Sequence, residues 1–364
     1  MKARILGTLT LLLALVALPG RPVDAATAPT DTPPGQGWYL AVVNHGPRGD
    51  YGIEPKRQRL VLVAPDGDQR TLLARRAGGY RNVRLVDWSP DGDTALLLTG
   101  REGDSTAITV DVATGHTTRT SLPRNAASVV LAPDGGGLLV AAFGDSSGEP
   151  MYRLAWDGTR SRLEARMNAA ALPSADGGTL LTNGTGWHQK VVRVLSATDG
   201  SVVRRIHVDG HCQPVSWWDD HRALLTCDDD LALLDPATGD LTRLTSRHDR
   251  RIGDYGHLDA RRIASGLYVE VAGACGYQFL GRKGHDGRVT KVRVPHALGN
   301  VLLLGAAADR LVIEHARSCD GSAPRSVIAR FDPVSGRERA LVRLPRSEDF
   351  GSILAYGERQ PLGY

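Results

Sequence analysis

The sequence predicts an all-β fold, a seven-bladed β-propeller of four-stranded blades whose ring is closed by a C-terminal strand lying in blade 1. Three observations predict it. The first is a recurring unit. Val86-Asp87-Trp88-Ser89-Pro90-Asp91-Gly92 precedes the apolar run Ala95-Leu96-Leu97-Leu98, and degraded copies follow at Val130–Gly135, Leu172–Gly177 and Ser216–Asp220, each before another apolar run. Self-similar strand units at a period of about 40 to 50 residues are the signature of a propeller. The second is a set of seven later hairpins with turn glycines at 67, 115, 158, 200, 239, 287 and 336. Glycine suits such turns because a residue with a Cβ loses roughly 1 kcal/mol at positive φ. The third is a first blade that lacks its inner strand while one strand is left over at the C-terminus.

Taken in order, the chain starts with Lys2 and Arg4, an apolar run from Leu9 to Leu18, and small residues near Ala25. This reads as a signal peptide over residues 1–25, too short to span a bilayer. The Thr- and Pro-rich segment 26–36 reads as a flexible leader, and residues 37–364 as a single propeller domain. Blade 1 draws its middle strands from Trp38–Val43 and Leu60–Val63 and its outer strand from Thr71–Ala74, but lacks an inner strand. Ser352–Tyr356 is left over and is expected to supply it, removing two hazardous edges at once. No later apolar run is long enough for a membrane span.

Cutting after Ala25 removes Lys2, Arg4, Arg21 and Asp24, and takes the formal net charge from +4 to +2. The charges are interspersed, so nucleic-acid binding gets no support. Arginine outnumbers lysine 39 to five, which reads as base composition of the genome.

The Trp-Ser-Pro-Asp-Gly run with its apolar strand resembles the TolB-like, WD-like propeller repeat. The resemblance covers residues 84–200 well, 213–246 less closely, and the chain from 258 onward as pattern. It implies that Asp91, Asp134 and Asp176 sit in the tight turn between the first two strands of their blades. TolB carries an additional α/β domain before its propeller and only a short leader precedes the first strand here, so TolB's place in an envelope-spanning complex is not carried over.

Four cysteines in an exported chain favour two disulfides. Cys212 and Cys227 flank a hairpin centred on Asp219-Asp220, and strict antiparallel pairing sets them opposite each other. Cys275–Cys319 is the remaining pair, stapling loops of blades 6 and 7.

Several motifs read more plainly as structure than as chemistry. Gly144-Asp145-Ser146-Ser147-Gly148 has the spacing of a hydrolase nucleophile, but a strand rather than a helix follows it. Arg48-Gly49-Asp50 is a short match in a chain rich in those residues. Asn183-Gly184-Thr185 reads as a turn. Asp228-Asp229-Asp230 falls short of the six to eight oxygens calcium takes. The eleven histidines are scattered singly with no metal-binding spacing, so no metal, cofactor or catalytic residue is assigned.

Loop length is the better guide. Segments 44–59, 272–277 and 315–325, with the connection 246–257, all belong to one face of a propeller and crowd the sector of blades 6, 7 and 1. Gly-Asp-Tyr-Gly occurs in two of them, at 49–52 and 253–256. The residues expected to touch a ligand or partner are Asp50, Tyr51, Asp254, Tyr255 and Tyr277. The expected function is a secreted or envelope-located, monomeric, non-catalytic module that binds a protein or glycan. The alternative is an extracellular propeller enzyme, of hydrolase or lactonase type, with its site at the central channel.

Overall fold

The computed structural model describes residues 34, 36–49, 52–101, 104–124, 126–142, 149–167, 171–174, 176–183, 190–246, 248–297, 299–316 and 325–356. The expected signal peptide, most of the leader, Asp50, Tyr51, the segment 144–148, Gly184, Thr185 and Cys319 lie outside these residues, as does the side chain of Cys275.

Seven four-stranded antiparallel sheets form the ring. Blade 1 is ordered, from the inside out, Glu348–Ala355, Tyr39–His45, Arg57–Val63 and Gln69–Arg76. The closing strand is longer than expected and pairs along the whole of Tyr39–His45, from Ala355 opposite Tyr39 to Glu348 opposite His45. In blades 2 to 7 the four strands follow one another in sequence from the inside out.

Packing explains the apolar runs. Seven hydrophobic clusters each join two neighbouring blades. Leu40 and Val42 face blade 2, packing near Val83, Leu85 and Leu97, whereas Tyr39, Ala41 and Val43 face blade 7, with Val312 and Ile328. A middle strand is thus buried on both faces, so its sequence is continuously apolar rather than alternating.

Two of the seven turn glycines also serve the stacking. All seven have positive φ, from 68° to 101°. At Gly67 a Cβ would stand 2.6 Å from the Leu341 carbonyl oxygen of blade 7, and at Gly115 it would stand 2.5 Å from that of Leu72 in blade 1. At these two turns the chain between third and outer strands lies on the previous blade, with no room for a side chain. In the first turns, Asp91, Asp134 and Asp176 each accept a backbone N–H two residues on. This is the position that the repeat resemblance implied. The Trp88 indole donates to the Gly92 carbonyl and meets Tyr356 edge-on at 5.3 Å, fastening the chain end to blade 2.

An inner strand has a neighbour on one side only, and its inward N–H groups need partners. Side chains of the preceding blade provide them. Ser352 accepts from Leu85, Gln58 from Val83, Asp87 from Leu131 and Glu270 from Leu303, at 2.7–2.9 Å. Isolated polar residues inside apolar strands thus bridge blade to blade.

The Cys212–Cys227 bridge is present, and the two residues are directly paired. The turn is wider than the sequence implies, running from Trp218 to Arg222, and a register shift between Pro214 and Ser216 restores the pairing at the cysteines. The bridge spans 15 residues, a closure of about 3 kcal/mol in the chain-entropy model. Replacing both cysteines by alanine is expected to lower unfolding free energy by about that much, read by urea denaturation.

Candidate functional site on the face of blades 5, 6, 7 and 1

The face that carries the second-to-third loops and the blade connections gathers the titratable groups. Between blades 5 and 6, two histidines and two aspartates converge. The hairpin Cys227-Asp228-Asp229-Asp230 turns with Asp228 at φ 55° and sets Asp230 at the start of its strand. The connection then passes Thr245 and His248 and makes one 3-10 turn over Arg250–Ile252, capped by Asp249. Gly253, at φ 81°, reverses the chain. Asp254 follows it, and His257 enters the inner strand of blade 6.

Asp254, expected on sequence grounds to offer a contact, is instead fully buried. Its carboxylate turns inward as the hub of the loop. Oδ1 accepts from Gly256 N–H and lies 3.0 Å from His248 Nδ1, while Oδ2 accepts from Asp249 N–H and lies 3.3 Å from His257 Nε2. A buried carboxylate needs such partners because desolvation is costly without them. The two imidazoles stack at 4.6 Å. On their other side, Asp230 Oδ1 lies 3.0 Å from His248 Nε2 and 3.9 Å from His257 Nδ1. Burial holds the His257 pKa below the ordinary imidazole value, with Asp254 opposing. Thr245 Oγ1 accepts the Leu231 N–H and lies 2.9 Å from His257 Nδ1.

Above this base sits Tyr255, 41% exposed, with the Arg250 guanidinium 4.5 Å from its ring centre. Tyr277 is half-buried, stacks on Phe279 at 6.1 Å and has the Lys291 ammonium 5.0 Å from its ring centre. The structure places both tyrosines on this face, on loops of neighbouring strands of blade 6.

Further in, a second group of acids spans blades 6, 7 and 1. Asp259 and Glu270 are directly paired across two strands of blade 6. Burial pushes Glu270 up to about 8, against the Leu303 N–H that it accepts, and Asp259 adds to the rise. Burial raises Asp259 too, although Arg261 donates to it at 2.6 Å. Glu314 of blade 7 is also pushed up to about 8, by burial and then by Asp349 and Glu270. Asp349 in turn accepts from Asn44 and from Ile53 N–H. Like charges held together away from water keep their protons.

Of the two groups, the sequence points only to Asp254. Asp230 and His257 belong to strands of different blades, with His248 on the connection between them, and the three meet only because blade 6 packs on blade 5. The glutamates had a signal, a lone acid inside an apolar strand, as in Leu267-Tyr268-Val269-Glu270-Val271 and Leu311-Val312-Ile313-Glu314.

No family model matches the chain, and no curated protein sequence matches it. Solved structures do. The acylaminoacyl peptidase of Pyrococcus horikoshii aligns at a TM-score of 0.54 with 13% identity, over 86% of this chain and 52% of that one. Dihydro-heme d1 dehydrogenase NirN, solved in complex with DHE, aligns at 0.52 with 14% identity, over 94% and 80%. TolB from Acinetobacter baumannii aligns at 0.44 with 14% identity, over 88% and 68%. At such identities the likeness is one of propeller fold, shared by proteins of different activity. Among the described residues no helix is long and apolar enough to cross a membrane.

Proposed function

We propose that the chain is an exported, non-catalytic β-propeller that binds a protein or glycan through the loop face of blades 5, 6, 7 and 1. One observation carries the reading. Tyr255 is exposed on a loop whose neighbouring residue, Asp254, is fully buried and tied to four groups. An aromatic ring already held in place loses little entropy on binding and offers a flat amphipathic surface. Arg250 beside it adds a cation for a polar partner. Export is supported by the signal-peptide pattern of residues 1–25 and by the Cys212–Cys227 bridge, which suits an oxidising compartment.

A second reading, an enzyme with a site toward the central channel, is favoured by Glu270 and Glu314. Carboxyls that keep a proton at neutral pH can act as general acids. Turnover of a small ester or lactone, lost in Glu314→Gln, is the result that reading requires.

The test compares wild type with Tyr255→Ala/Tyr277→Ala in capture from extracellular and envelope material and on a glycan panel. Truncating a true anchor costs about 2 kcal/mol or more, hence about 30-fold in Kd. Loss of a specific partner at an unchanged melting temperature supports the binding reading. Equal recovery by both proteins counts against it.

A further inference from the structure

We propose that Asp230, His248 and His257 form a binding site for a divalent first-row transition ion, with zinc as the expected occupant, bridging blades 5 and 6. One ligating atom from each of the three residues lies within 4.8 Å of the others. Asp230 Oδ1 is their common neighbour, 3.0 Å from His248 Nε2 and 3.9 Å from His257 Nδ1. Tetrahedral zinc with bonds of about 2.1 Å keeps its ligand atoms about 3.4 Å apart. The two observed separations fall either side of that value, so small side-chain movements bring the donors onto an ion. Two imidazoles and a carboxylate are a donor set for zinc and its neighbours in the series, and a poor one for calcium or magnesium.

One further observation points to a ligand. Asp230 Oδ1 is buried and makes no aligned hydrogen bond, despite its closeness to His248. Its other oxygen, Oδ2, is engaged by Arg243 at 3.5 Å, which leaves Oδ1 as the free donor. Orphaned buried polar atoms are rare and call for an explanation.

Asp254 completes the arrangement from behind. It lies against the far nitrogen of both rings, 3.0 Å from His248 Nδ1 and 3.3 Å from His257 Nε2. Metal-ligating histidines commonly donate their other N–H to a carboxylate, which fixes tautomer and ring orientation. The tautomer that suits every partner here has the His257 proton on Nε2 toward Asp254, with the Thr245 hydroxyl donating to Nδ1. The Nδ1 lone pair is then available once Thr245 rotates away. Asp230 and His248 are 16% and 22% exposed, so an ion enters from solvent and water takes the remaining position. The ion joins the blade 5 hairpin to the first strand of blade 6 and fixes the base beneath Tyr255. This goes beyond the binding function proposed above and does not depend on it.

The test uses the untagged chain, stripped with chelator and titrated with Zn²⁺ and, separately, Co²⁺. One ion per chain is expected, with the visible absorption bands of low-symmetry four-coordinate Co²⁺. At a hundredfold excess over Kd, zinc should raise the melting temperature by about 4 °C. Asp230→Asn and His248→Gln should each weaken binding by about 100-fold. His45→Gln, at an exposed histidine beside Glu348 on the same face, should leave it intact. X-ray absorption of the zinc-loaded wild type should show two imidazole ligands, a readout that needs no variant to fold. No stoichiometric binding, binding that survives both site variants, or a zinc shell without imidazole would each overturn the proposal.

Discussion

Removing residues 348 to the C-terminus should abolish the folded ring. The deleted strand fills the inner position of blade 1 along the whole of Tyr39–His45. Its loss strips the ladder from that strand and exposes Tyr39, Ala41 and Val43, which form a cluster with Ile353 and with Val312 and Ile328 of blade 7. It also leaves the Leu85 N–H without Ser352 and breaks the Arg59–Glu348 pair. Tyr356, which donates its backbone N–H to Trp38 and its hydroxyl to Pro90, goes as well. An open propeller presents two long apolar edges, and edges of that kind aggregate. The expected result is insoluble or molten protein, read by size-exclusion chromatography and near-ultraviolet dichroism. Leu354→Ala, at a fully packed position of the same strand, should keep the fold and cost about 2–5 kcal/mol. A truncated protein that melts like the full chain would mean that the closing strand contributes nothing.

Glu314→Gln should stabilise the protein in mild alkali. In the folded chain this carboxyl titrates at about 8, against an ordinary value of 4.5. Below about pH 4.5 both folded and unfolded states hold the proton, and the group has no effect on stability. Between 4.5 and 8 the unfolded state releases a proton that the folded state keeps, so stability falls as pH rises through that window. Above 8 the folded state bears a buried carboxylate near Asp349 and Glu270, and the penalty is complete. At about 1.4 kcal/mol for each pH unit of difference, it is on the order of 5 kcal/mol. Glutamine keeps the shape of the neutral acid and cannot ionise. The variant should match wild type near pH 4.5 and exceed it at pH 8, measured by urea unfolding at both. A constant difference at the two pH values would show that the carboxyl is not the titrating group. Glu270 imposes its own loss over the same window, so the variant should still weaken between pH 4.5 and 8, though less steeply than wild type.

The sequence was most legible where interactions are local and repeated. A turn between adjacent strands needs an Asp to accept N–H groups or a glycine at positive φ, whatever the rest of the molecule does. Asp91, Asp134 and Asp176 and the seven turn glycines therefore marked the blades directly. Apolar runs marked strands buried on both sides, and a strand left over at the C-terminus matched a blade lacking its inner strand. The Cys212–Cys227 pairing could be read for the same reason, because both ends belong to one hairpin, and the register shift near Pro214 happened to offset the wider turn.

The chemistry on the loop face was decided by tertiary structure. Asp254 has the same local sequence whether it points outward or inward, and Gly-Asp-Tyr-Gly at 253–256 looks like a surface motif. What turns it inward is His257, delivered by the inner strand of blade 6, together with His248 on the connecting loop. Asp230 joins them from another blade. Glu270, Glu314 and Asp349 likewise come from three blades. Within one strand a single acid among apolar residues states only that something must satisfy it. Which groups do so, and whether it keeps its proton, depend on the blades stacked against it, because burial and the fields of neighbouring charges are properties of the assembled ring.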